Sequence, residues 1–196
     1  IGEETARQFN SAGAKVILSA RNFDRLNALQ KSLKYPEKSI IICIDLEKSD
    51  SFPELAEQVF QKYGRIDYLI NNGGLSQRGE ASSTSMEVDR RIMEINYFGN
   101  IALTKAVLPY MQQQKSGHIV VLSSIAGKFG FYLRSAYSAS KHALQGFYES
   151  VLLEEAKNNI YVTLVYPGKI NTEIYKSALN ADGGAHGIMD HNQETG

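Results

Sequence analysis

Ile66-Asp67-Tyr68-Leu69-Ile70-Asn71-Asn72-Gly73-Gly74 decides the fold class. Residues 66–70 form a short, mainly apolar run that stops at two asparagines and two glycines, residue types that favour turns. A run apolar on both faces reads as a strand buried on both faces, the habit of parallel sheets covered by helices. The pattern recurs on either side. Upstream, Val16-Ile17-Leu18 and residues 40–44 are strands of the same kind; downstream, residues 119–122 and 160–165 follow, the last stopping at Pro167-Gly168.

Helical periodicity fills the gaps. From Gly2 the apolar residues Ala6, Phe9 and Ala12 recur at helical spacing until Gly13 ends the run. Asn22 is placed to cap a helix whose inner face is Leu26, Leu29 and Leu33. Asp50 or Ser51 opens another, with Pro53 in its first turn and Leu55, Val59 and Phe60 facing inward. Residues 86–114 and 136–158 form two long amphipathic stretches, and residues 180–196 read as a loop. The expected fold is α/β, a doubly wound parallel sheet of Rossmann type in three layers, one domain over residues 1–196.

Composition excludes several function classes. With 43% apolar and 21% charged residues the chain is an ordinary globular sequence. Acids and bases balance at 21 each, so nothing invites nucleic acid or an anionic bilayer. Cys43, the only cysteine, cannot form an internal disulfide, and its isoleucine neighbours predict a buried strand position. His118, His142, His186 and His191 show no carboxylate–histidine spacing, so no metal is expected. No segment reaches the ~18 apolar residues of a membrane span.

Tyr137 and Lys141 stand four apart within a helix and share a face. A phenol, with a pKa near ~10, becomes a usable acid–base group when a cation beside it favours the anion. The pair alone is equally readable as two unrelated helix residues. Its setting is Tyr-Ser-Ala-Ser-Lys-His-Ala-Leu, and upstream the strand 119–122 ends in Ser123-Ser124. A serine at the carboxyl end of a parallel strand lies on the edge where open α/β sheets bind ligands. Asn96 interrupts a long helical stretch, where asparagine competes for backbone hydrogen bonds; a local kink or simple exposure would each explain it.

Asn-Asn-Gly-Gly at 71–74, then Asn96, Ser124, Tyr137, Lys141 and Pro167-Gly168-Lys169-Ile170-Asn171-Thr172 occur in this order. Together they resemble the motif ladder of the short-chain dehydrogenases/reductases across essentially the whole chain. Three stretches narrow the resemblance to one branch: Asn96-Tyr97-Phe98-Gly99 with Ala102-Leu103-Thr104-Lys105, then Arg134-Ser135-Ala136-Tyr137, then Ala181-Asp182-Gly183 with Gly187-Ile188-Met189-Asp190. The resemblance implies a catalytic tetrad. Tyr137 would be the acid–base residue, and Lys141 would lower its pKa and hold the nicotinamide ribose. Ser124 would orient the substrate carbonyl with Tyr137, and Asn96 would fix a water that relays protons towards Lys141.

The resemblance also implies a nicotinamide cofactor. Gly2 would close its phosphate loop, Asp45 and Leu46 would contact adenine, and Asn72, Gly73 and Gly74 would run beside the adenosine ribose. Pro167, Gly168, Ile170 and Thr172 would border the nicotinamide. At the end of the second strand of such a site an acid selects NAD and a base selects NADP. Here the sequence is Leu18-Ser19-Ala20-Arg21-Asn22, without a carboxylate, and Arg21 can grip a phosphate bidentately, so NADP(H) is the expected cofactor. Alternatively Arg21 is a plain surface charge.

Two departures from the family stand out. Gly73 replaces the usual alanine, a change expected to loosen the loop. The resemblance implies a first and a last strand outside these 196 residues, so the stretch by itself is expected to be a partial domain that binds NADPH weakly. The expected activity is hydride transfer between NADP(H) and a ketone, aldehyde or secondary alcohol. Phe129, Phe131, Tyr132 and Leu133 hint at a hydrophobic or lipid-like substrate. The alternatives are a nucleotide-sugar epimerase and a non-catalytic NADP-binding sensor or scaffold. A homo-oligomer, dimer or tetramer, is expected through the two long helices, in the cytoplasm or on a membrane through a segment outside this stretch.

Overall fold

The structure, a computed structural model, describes residues 1–168, 170 and 176–187. Five parallel strands alternate with helices. These are α1 (Gly2–Ser11), β1 (Val16–Ala20), α2 (Phe23–Ser32), β2 (Ser39–Cys43), α3 (Phe52–Tyr63), β3 (Tyr68–Asn71), α4 (Met86–Met93), α5 (Gly99–Gln114), β4 (Gly117–Leu122), α6 (Ser135–Glu155) and β5 (Ile160–Val165). The local signals behave as expected. Asn22 Oδ1 accepts from the Arg25 amide at 2.9 Å, and Gly13 and Gly64 take left-handed backbone (φ +92° and +73°) where α1 and α3 end.

β1 pairs with β2, while β3, β4 and β5 form a separate sheet with β4 central. Helices flank these sheets, α3 packing with α5 and α4 with α6. Parallel strands covered by helices are the doubly wound architecture expected. The facing edges of β1 and β3 are not paired to each other and border one cavity of about 660 Å³. The main core lies on the larger sheet, where Ile119 and Val121 of β4 are fully buried among Val107, Met111, Leu144, Tyr148 and Ile160. A smaller core joins Leu18 to Leu26 and Leu33.

Two burial expectations are corrected. Cys43 is exposed, because β2 is an edge strand and Cys43 its last residue. In α3 the fully buried positions are Phe52 and Ala56, with Leu55, Val59 and Phe60 only half-buried. No helix among the described residues is long and apolar enough to cross a membrane.

The long stretch 86–114 is one helix interrupted by a π-helical turn, Glu94–Phe98, which separates α4 from α5. Such insertions widen the turn and turn side chains inward. Both asparagines of this region, Asn96 and Asn100, are buried, and Asn100 Nδ2 donates to the Ile95 and Asn96 carbonyls of the π-turn. Asn71, at the end of β3, shares its Nδ2 between Thr104 Oγ1 (2.9 Å) and Tyr148 Oη (2.8 Å), fastening β3 to α5 and α6. Burial pushes the Tyr148 phenol far above its ordinary value, so this tyrosine stays protonated and structural.

Candidate active site

Ser124 follows β4 in extended conformation and caps a short 3₁₀ turn, Ile125–Gly127, its Oγ accepting from the Ala126 amide at 3.1 Å. The same hydroxyl hydrogen-bonds the Tyr137 phenol. Tyr137, third residue of α6, is buried. One turn on, Lys141 is 4% exposed; its Nζ donates to the Leu122 carbonyl at 2.8 Å and lies 5.8 Å from the centroid of the Tyr137 ring. Gly127 makes this packing possible, because a Cβ there would sit 3.0 Å from the Lys141 carbonyl oxygen.

The electrostatics differ from the expectation that Lys141 lowers the phenol. Burial dominates and raises the Tyr137 pKa; the opposing influences are the hydrogen bond from Ser124 and then the charges of Arg134 and Arg78. Burial likewise pulls the Lys141 ammonium down to about 8. Burial is the leading cause of both shifts, and the hydrogen bond of the Lys141 ammonium goes to the Leu122 carbonyl.

Asn96 joins this group from the π-turn. Its Oδ1 accepts from the Leu75 amide at 2.7 Å, and its Nδ2 donates to the Leu75 carbonyl at 2.9 Å and to Ser140 Oγ at 3.0 Å. Ser140 in turn donates to the Tyr137 carbonyl at 2.7 Å. Asn96 thus fixes the loop after β3 against the first turn of α6.

The residues expected at the cofactor fall into two groups. Gly2, Arg21, Asn22, Asp45, Leu46, Asn72, Gly73 and Gly74 all line the cavity between the sheets. Two of its glycines pack directly against side chains. A Cβ on Gly2 would meet Asn72 Nδ2 at 2.5 Å, and one on Gly73 would meet Leu46 Cδ1 at 2.6 Å. Gly73 thus packs closely against the Leu46 side chain. Gly99 admits no side chain against the Leu46 carbonyl oxygen.

Ser124, Tyr137 and Lys141 lie outside that lining, at its end, and Gly74 is the link: a Cβ there would be 3.3 Å from Asn96 Oδ1 and 3.6 Å from Lys141 Nζ. The Pro167 carbonyl accepts from the Ile125 amide at 3.2 Å, which brings Pro167 and Gly168 beside Ser124. Ile170 is exposed, and Thr172 lies outside the described residues. His118 bonds Thr163 Oγ1, His142 bonds the Ser138 carbonyl, and His191 also lies outside the described residues.

Four contributors escaped the sequence reading: Asn100, Ser140, Gln77 and Arg78. Asn100 carried a usable signal, since the argument that singled out Asn96 in mid-helix applies equally one turn later. Ser140 looked like any small helix residue. Gln77 and Arg78 sit in a polar loop that reads as exposed yet are buried, at 0% and 6% exposure. No pattern within that loop announces it.

The model of the short chain dehydrogenase family matches residues 1–182. The chain belongs to the short chain dehydrogenase family. Among its relatives are mouse dehydrogenase/reductase SDR family member 7B, 43% identical over 201 residues, and a family protein 7-like from Anopheles gambiae, 47% identical over 196. They match 100% and 97% of this chain, which spans about 62% of the length of each. The three stretches quoted for a branch resemble that of member 7B. Solved short chain dehydrogenase folds superpose closely. ElxO with NADP bound has a TM-score of 0.82 at 30% identity, covering 88% of this chain and 70% of its own. An actinorhodin polyketide ketoreductase variant with NADPH has 0.83 at 31%, over 88% and 67%. An NAD⁺-bound xylitol dehydrogenase has 0.83 at 26%, over 87% and 66%.

Proposed function

We propose that this short chain dehydrogenase is an NADP(H)-dependent oxidoreductase interconverting a ketone or aldehyde with its alcohol, Tyr137 serving as the acid–base residue. One observation carries the reading: a buried tyrosine hydrogen-bonded to Ser124, with Lys141 one turn away and Asn96 holding the same helix, at the end of the cavity that Gly2, Gly73 and Gly74 line. A dinucleotide would be held at the polar part of the cavity lining, by Gly2, Arg21, Asn22, Asp45 and Asn72 to Gly74. Arg21 stands exposed on its lining, after Ser19 and Ala20 where an acid would select NAD, which favours NADP over NAD.

When bound, the cofactor supplies the hydride. The protein's part is to place a proton. The raised pKa keeps Tyr137 protonated at neutral pH, as required of an acid that delivers a proton to a developing alkoxide. Ser124 offers its hydroxyl at the same point and orients the carbonyl oxygen. The Lys141 ammonium lies beside the ring, positioned to hold the ribose and to resupply a proton through a water near Asn96.

Phe129, Phe131 and Tyr132, all exposed in the loop leading to Tyr137, favour an apolar carbonyl substrate. Exposed Phe98 and Leu153 on the two long helices support self-association. Replacing Arg21 with Ala is expected to weaken NADPH binding about 10- to 100-fold, the worth of a charge-assisted bidentate contact, while NADH binding stays within about threefold. Fluorescence titration of both nucleotides against the whole protein checks this. Equal losses for the two would assign Arg21 a surface role.

A further inference from the structure

Gln77 is fully buried in the loop between β3 and α4, and its amide is engaged at both ends. Its Oε1 accepts from the Ala136 amide at 3.0 Å; its Nε2 donates to Thr84 Oγ1 at 2.9 Å, and Thr84 donates onward to the Glu80 carbonyl at 2.8 Å. Ala136 is the second residue of α6 and immediately precedes Tyr137. The residue at the N-cap position, Arg134, makes no side-chain capping bond, so the first turn of the helix that carries Tyr137 is capped from a distant loop.

The backbone around Gln77 reinforces this clamp. The Gly79 amide donates to the Leu133 carbonyl at 3.1 Å, and Leu133 sits at φ +60°, an unfavourable conformation for leucine that surrounding contacts must hold. On the other side, the Arg78 amide donates to the Leu179 carbonyl at 2.7 Å and the Leu179 amide to the Ser76 carbonyl at 2.9 Å. Gln77 therefore stands where the loop after β3, the start of α6 and the segment 176–187 meet.

We propose that Gln77 is a positioning residue for Tyr137, its side-chain carbonyl capping the Ala136 amide and so fixing the first turn of α6 against Ser124. The proposal rests on the reading of Tyr137 as the acid–base residue, and Gln77 itself touches no reacting atom. The requirement is for an acceptor at this point. Gln77→Leu removes the acceptor, whereas Gln77→Glu retains it next to a helix N-terminus, where a carboxylate is favoured.

The test uses both variants in the whole protein. Turnover is followed by NADPH oxidation with 4-nitrobenzaldehyde as the probe carbonyl, NADPH affinity by fluorescence, and Tyr137 ionisation by ¹³Cζ-tyrosine NMR assigned through Tyr137→Phe. In Gln77→Leu, kcat is expected to fall about tenfold, the factor for losing about 1.4 kcal/mol of positioning, with NADPH affinity unchanged. The Tyr137 titration should relax towards that of an ordinary tyrosine as the turn loosens and hydrates. Gln77→Glu should restore kcat to within about threefold and keep the titration displaced. An unchanged Tyr137 titration in Gln77→Leu overturns the proposal, as does loss of NADPH binding in step with kcat. If the wild-type protein turns over no carbonyl, the reading of function fails by itself, and the titration still decides the role of Gln77.

Discussion

Tyr137→Phe is expected to lower NADPH-dependent carbonyl turnover by ~10²–10⁴-fold, the usual worth of a positioned general acid, and to leave NADPH affinity within about twofold. The substitution removes one oxygen from a buried side chain whose visible partner is Ser124, and Ser124 retains its bond to the Ala126 amide. The local fold should therefore survive, with a stability change on the order of 1 kcal/mol from the lost hydrogen bond. Steady-state rates combined with nucleotide titration separate the outcomes. A variant that keeps turnover within about tenfold would remove Tyr137 from the chemistry and favour a binding or sensing role. The pH dependence carries a matching sign. Since burial raises the phenol, the protonated form needed for reduction persists through neutral pH, and the reduction rate falls only as pH climbs through that raised value.

What could be read from the sequence follows how locally each feature is encoded. The strand at 160–165 is bounded by an apolar run and Pro167 and appears at those residues. The Asn22 cap depends on contacts within three residues, and it too is present. Asn96 was marked by its discomfort in mid-helix, and the structure resolves that discomfort as a π-turn. Failures came where a distant element decides. Cys43 has the neighbours of a core residue but lies at the edge of its sheet. Gln77 and Arg78 belong to a loop that composition places in solvent, yet residues 133–136 and 179 close over it. The direction of the Tyr137 shift could not follow from a four-residue spacing, because it is set by how dry the pocket is.

Lys141 provides the second large effect, and it reaches beyond activity. Lys141→Met is expected to lower turnover by ~10²–10³-fold, the scale for losing one preorganised charge at a reacting centre. It should also change how stability responds to pH. Burial holds the ammonium at about 8 in the folded protein against 10.5 in the reference state. Between these values the unfolded chain binds more protons than the folded one, so wild-type stability rises with pH across that window. The gap corresponds to about 3 kcal/mol of destabilisation, fully present below pH 8 and relieved by pH 10.5. Methionine removes this penalty but leaves the Leu122 carbonyl without its donor, at a cost of roughly 1 kcal/mol. The variant should accordingly be the more stable protein at pH 7 and the slightly less stable one near pH 10.5. Urea unfolding of both proteins at several pH values measures the difference directly, with other titrations cancelling between them. A difference that stays constant from pH 7 to 10.5 would mean that Lys141 is not held as a costly buried cation, and its place beside Tyr137 would then need another explanation.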